Sequence, residues 1–206
     1  RILMVMRGSN GGKADPRHEL PSSKWFAVSS DGGETWSAPA PWALDDGQAF
    51  FSPSSMSALF RHSSGRCFWA GNLTAHNCEG NLPRWPLVIG EVDPRSLKLV
   101  RSSVLTVDTQ RPEDKHRGRL DLSHLTLLED RETRQIVLAY PRSYNAYKSN
   151  EWATVRLAGV KSEGREPRSE GGPKSEIRTR HRSSRPPADR PKLLSAFGFR
   201  ISFGFR

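Results

Sequence analysis

Short apolar runs broken by polar turns fill the first 160 residues, and none keeps a helical period over several turns. Three runs share one shape: "RILMVMRGSN" (1–10), "GRCFWAGN" (65–72) and "RQIVLAYPRS" (134–143) each carry a basic residue ahead of a β-rich run that ends in a polar turn. Each is followed by a second strand-like segment, "KWFAVSSDGG" (24–33), "RWPLVIGEVDP" (84–94) and "EWATVRLAGV" (151–160). Aligned on Trp25, Trp85 and Trp152, this second set repeats in steps of 60 and 67 residues. A third set, "SPSSMSALFRHSSG" (52–65) and "DLSHLTLLEDRE" (121–132), precedes the later two units and reads as a strand running into a turn. "LVRSSVLTVDT" (99–109) supplies a fourth strand.

The pattern predicts an all-β chain of four-stranded units in tandem, which is the pattern of a β-propeller. Units this long exceed the roughly 40–50 residues of compact blades, so the loops between strands must be long. A β-sandwich is the alternative, but it calls for more even strand spacing.

The pattern stops near residue 160, which divides the chain into a propeller segment, 1–160, and a basic low-complexity tail, 161–206. The stretch 161–192 has almost no large apolar residues, so it is expected to stay unstructured, its ordering entropy unmatched by burial. "FGFRISFGFR" at the end nearly duplicates itself, which reads as translated repeat sequence rather than a docking motif. The chain also opens on Arg1 directly before an apolar run, as a piece of a longer protein would.

Charge changes the picture less than its total of +10 suggests. Residues 1–160 hold 20 Lys and Arg against 17 Asp and Glu, so most of the excess lies in the tail. A tail of this kind binds polyanions only non-specifically, and no specific nucleic-acid partner is expected. No run approaches the roughly 18 apolar residues of a membrane span. Cys67 and Cys78 match no metal-ligand spacing, so neither a metal nor a cofactor is expected, and they stand as a free pair or one disulfide.

The most specific local signal is "VSSDGGETWSAP", Val28–Pro39. Ser29 and Asp31 have short side chains able to bond nearby backbone amides, while Gly32 and Gly33 take positive φ without steric cost. That is hairpin chemistry, and Trp36 asks for a surface on which the turn can fold back. The fixed positions Ser29, Asp31, Gly33, Thr35 and Trp36 match Ser-x-Asp-x-Gly-x-Thr-Trp, the Asp box, so residues 1–158 resemble the sialidase and BNR-repeat family. The resemblance implies a six-bladed propeller, of which this chain holds about two and a half to three blades. It makes the box a structural hairpin away from the catalytic face. At the same place in the next unit, "GEVDPRSLKL" keeps only Asp93.

The resemblance further implies a retaining exo-sialidase-type glycoside hydrolase, with a Tyr nucleophile assisted by Glu, an Asp acid/base, and three Arg on the substrate carboxylate. A guanidinium forks bidentately onto a carboxylate and stays charged at any working pH, which is why Arg suits that task. Arg7, ending "ILMVMR", and Arg84, opening "RWPLVIGEVD", sit where two of the three would be. Arg142 has the place of Arg7 in the third unit but no role in the pattern. Glu91 or Asp45 and Asp46 are the expected balance for converging arginines. Where the nucleophile should stand, "LSHL" puts Leu122; Tyr140, Tyr144 and Tyr147 lack its context, and His124 reads as a packed or surface residue. The acid/base and the first Arg belong to blades outside this chain, so no complete catalytic set is visible. Two functions follow: a fragment of an enzyme acting on sialylated or other anionic glycans, inactive alone, or a non-catalytic propeller module binding glycans or proteins. The residues leave the compartment open, whereas the resemblance implies a secreted or periplasmic protein.

Overall fold

The computed structural model describes residues 1–144 and 148–155, together with two strand segments at 177–178 and 203–204. Among the described residues the chain is all-β: three antiparallel sheets follow one another, and the only helical pieces are two 3-10 turns. The first sheet is β1 (Ile2–Arg7), β2 (Lys24–Ser29) and β3 (Ala40–Pro41), in that order. The second is β4 (Ala58–Arg61), β5 (Cys67–Asn72), β6 (Leu87–Val92) and β7 (Leu105–Asp108). The third is β8 (Thr126–Glu129), β9 (Ile136–Ser143) and β10 (Lys148–Val155), and β10 also pairs with β11 (Ile177–Arg178) and β12 (Phe203–Gly204). Apart from β11 and β12, the tail lies outside the described residues.

One expected feature is present and two details differ from the expected repeat. "ALFR" and "TLLE" open the second and third sheets as β4 and β8, each turning straight into the next strand. Trp85 stands outside β6, because Pro86 has no N–H to give and the ladder begins at Leu87. "LVRSSVLTVDT" is split by a 3-10 turn at Arg101–Ser103, leaving only Leu105–Asp108 as strand.

Alternation with a period of two puts the second sheet between two cores. One of its faces carries Phe68, Ala70, Leu87 and Ile89 against Leu122, Leu125, Ile136 and Leu138. The other carries Trp69, Val88 and Val92 against Trp42, Phe50 and Leu99, with Leu3, Val5 and Phe26 of the first sheet packed alongside. Trp42 meets Trp69 edge-on at 5.6 Å and Phe50 at 6.0 Å, the arrangement that aromatic quadrupoles prefer. Burying each such side chain contributes about 2–3 kcal/mol.

The loop joining β1 to β2 and the loop joining β5 to β6 lie at corresponding strand ends, since Arg7 pairs Lys24 and Asn72 pairs Leu87. Two asparagines fasten these loops to each other. Asn10 donates to Leu20 O and Cys78 O, both at 2.8 Å, and accepts from Gly80 N at 2.9 Å. Asn77 accepts from Ser22 N at 2.8 Å and donates to His18 O and Leu20 O. Gly8 is needed at the entry, because a Cβ there would stand 2.2 Å from Ser23 O and 2.4 Å from the Trp25 ring.

Candidate functional site

The turn Ser29–Trp36 closes on itself. Ser29 Oγ donates to Asp31 Oδ1 at 2.7 Å and accepts from Gly33 N at 2.8 Å. Asp31 also accepts from Thr35 N at 3.0 Å and from the Thr35 hydroxyl, bonds that hold its carboxyl far below the usual carboxylate range. Gly32 and Gly33 both take positive φ, at 81° and 103°. Trp36 donates from Nε1 to Gly33 O at 3.0 Å and remains 37% exposed, so it lies on its own turn near Ile2 of β1. Ser37 N donates to Val28 O at 2.9 Å, closing the hairpin from β2 to β3. In the second sheet Asp93 accepts from Ser96 N and Oγ at 2.9 and 2.6 Å, a smaller turn that keeps the carboxylate and loses the rest.

At the other end of β2, Lys24 is buried and donates from Nζ to Pro53 O at 3.1 Å and Ser55 O at 2.5 Å. Burial, followed by the positive charge of Arg7, lowers its pKa to about 8; Cys78 opposes this, and Arg84 adds the smallest effect. Arg7 is exposed at the end of β1, and its guanidinium has no hydrogen bond or ion pair among the described residues. Arg84 is mostly covered and pairs with Asp121 at 2.8 Å, with further bonds to Ser123 Oγ and Asn81 O. The expected balancing acids are engaged elsewhere: Glu91 holds Arg66 at 2.6 Å, and Asp46 holds Arg101 at 2.6 Å beside Asp45.

A second polar group on this side was not anticipated from sequence. Arg142 is 2% exposed; it donates to Asp108 Oδ2 at 2.8 Å, to Tyr144 Oη at 2.9 Å and to Asp114 Oδ2. Tyr144 donates to Asp114 Oδ1 at 2.5 Å, and Tyr140 donates to Asp108 Oδ2 at 3.3 Å. Burial acts to raise the Asp114 pKa, but bonds from Tyr144 and Arg111 N together with the Arg142 and Arg111 charges hold it low. Burial and the Asp114 bond push the Tyr144 phenol up. The signal in the sequence is "YPRSY": Tyr140 and Arg142 alternate on the inward side of β9 with Leu138, and Tyr144 continues the alternation just past the strand's end.

Leu122 is fully buried in the core, with Leu122 N bonded to Arg84 O at 2.9 Å, and offers no nucleophile. The hydroxyls of Tyr140 and Tyr144 are sealed among carboxylates and Arg142, and Tyr147 lies outside the described residues. His124 takes φ of 63° and bonds through Nδ1 to Ser123 Oγ at 3.0 Å. Cys67 and Cys78 are both free thiols, which removes the disulfide alternative. Among the described residues no group of three His, Cys, Asp or Glu is placed to hold a metal, and no helix is long and apolar enough to cross a membrane.

No family model matches the chain, and no curated protein does either. Among solved structures it is similar to a protein described as a GH43_12 retrieved from capybara gut metagenome, with a TM-score of 0.42 and 11% identity. The match covers 66% of this chain and spans about a quarter, 24%, of that one.

Proposed function

We propose that the chain is part of a sialidase-like, six-bladed β-propeller, contributing about two and a half to three blades. Its loop end takes an anionic sugar through Arg7 and Arg84. The observation that carries this reading is the Asp-box ring of Ser29, Asp31, Gly33 and Thr35, a five-position motif whose hydrogen bonds all close within one hairpin. It lies at the end of β2 remote from Lys24, which leaves the cationic end of the sheet free for a ligand. An unpaired guanidinium at Arg7 and a second one at Arg84, held on a single carboxylate, suit a carboxylate-bearing sugar. The parent function is hydrolysis of sialylated or other anionic glycans in a secreted or periplasmic setting, and this chain alone turns nothing over.

The second reading, a non-catalytic module that binds glycans or proteins, is favoured by one observation: Leu122 fills the nucleophile position from inside the core. Equilibrium titration with sialyllactose and with lactose tests the shared claim. Sialyllactose is expected to bind and lactose not, and Arg7→Ala to weaken sialyllactose by about tenfold or more, the worth of one charge-assisted contact. Equal affinity for the two sugars contradicts it.

A further inference from the structure

The segment after β7, residues 109–120, has two unlike faces. Asp114 within it, and Asp108 and Asp121 beside it, turn inward. Asp114 is 1% exposed, caps the 3-10 turn Pro112–His116 by accepting from Arg111 N at 2.6 Å, and is held by Tyr144 and Arg142. Asp108 is spent on Arg142, Tyr140 and Arg111. Asp121 accepts from Ser123 N and Oγ at 3.0 and 2.6 Å and from two guanidiniums. What faces solvent is Lys115, His116, Arg117 and Arg119, with Glu113 the one exposed acid of the segment.

A run of exposed cations is ordinarily a solvated surface. Here two of the cations are held in place. The Arg117 guanidinium carbon lies 5.7 Å from the centroid of the Tyr144 ring, which is itself fixed by Asp114. Arg119 reaches the same Asp121 oxygen as Arg84, at 3.5 and 2.8 Å, so one carboxylate serves two guanidiniums and a positive charge is left over.

We propose that Lys115, Arg117 and Arg119 form a binding edge for a linear polysaccharide bearing sulfate or carboxylate groups. It extends the Arg84 end of the loop surface and rests on the glycan reading above only in its choice of polymer. Single-stranded nucleic acid fits less well, because stacking platforms are wanting: no Phe, Tyr or Trp of residues 109–120 faces solvent, and Tyr144 is buried beneath Arg117.

The test is binding of the full chain to heparin as the sulfated probe, over a range of salt. Variants are K115S/R117S/R119S, the charge-preserving R117K/R119K and a tail control R180S/R182S/R185S. The loop variant is expected to lower affinity about tenfold or more at low salt and to flatten the salt dependence by roughly two to three charges. R117K/R119K should stay within about twofold of the parent, and the tail control should lose less than the loop variant. Equal losses from loop and tail overturn the proposal, as does an unaffected loop variant. So does a single-stranded oligonucleotide of matched charge that binds as tightly through the same three residues. Sialyllactose failing to bind while the loop dependence persists sinks the Arg7 reading alone.

Discussion

Arg142 Nη1 lies 2.8 Å from Asp108 Oδ2, joining β9 of the third sheet to the end of β7 in the second across 34 residues of sequence. Both side chains are almost wholly covered, at 3% and 4% exposure, so neither charge has water to fall back on. Removing one partner of such a pair costs about 3–5 kcal/mol, because the survivor stays buried and uncompensated. Asp108→Asn should therefore lower the urea-unfolding free energy by about 3 kcal/mol, softened by the remaining Asp114 contact. The apolar triple R142M/D108L/D114L should recover part of that loss. A change under about 0.5 kcal/mol in Asp108→Asn, the size of an ordinary surface substitution, would show that the cluster bears no strain.

Lys24 gives a pH signature whose sign is fixed. Its folded pKa, about 8, lies below the ordinary value of 10.5, so the unfolded chain binds the extra proton between those limits. The penalty for burying the charge is present below pH 8 and is relieved as pH rises from 8 to 10.5, making this group's contribution to stability increase over that window. The gain is on the order of 3 kcal/mol before screening. Denaturant midpoints for parent and Lys24→Met, subtracted at each pH, should show that rise; a flat difference between pH 8 and 10.5 contradicts it.

Gly33 sits at φ of 103° with Ile2 and Trp36 3.7 and 3.9 Å from where a Cβ would stand. There is room for a methyl group, so the cost of Gly33→Ala is conformational, about 1–2 kcal/mol. The loss should appear in thermal unfolding while sialyllactose affinity is unchanged, because the turn lies at the far end of β2 from the arginines. A weakened affinity in Gly33→Ala would place the turn in the binding surface.

The chain alone should release nothing from a fluorogenic sialoside, and Leu122→Tyr should not rescue it. Leu122 is fully buried, so a phenol there overpacks the core by about 1–3 kcal/mol and does not reach solvent. Turnover above the buffer blank in either protein would overturn this.

Legibility in the sequence followed the range of the interaction. The strands around Met4, Phe26, Trp69 and Val88 stood out because a period of two is a local property, and the Ser29–Trp36 turn because its Ser29 and Asp31 side-chain bonds join residues within four positions. Lys24 was invisible because its partners Pro53 and Ser55 come from 29 and 31 residues away. Arg142 was set aside for the same reason: its acids lie on a connection that looks merely polar, and only the alternation of Tyr140, Arg142 and Tyr144 hinted at an inward-facing polar row. The partner of Arg84 was misread because Asp121 crosses from the following segment, bridging Arg84 and Ser143 through its backbone.

The most direct test follows the arginine side chains themselves. In a spectrum of 15N-labelled chain that resolves arginine Nε–Hε groups, sialyllactose should shift the Arg7 and Arg84 signals, each assigned by its Lys variant, and leave buried Arg142 in place. Lactose at the same concentration should move none of them. Shifts confined to other arginines, or a lactose response equal to that of sialyllactose, would contradict an anionic-sugar site at this end of the sheets.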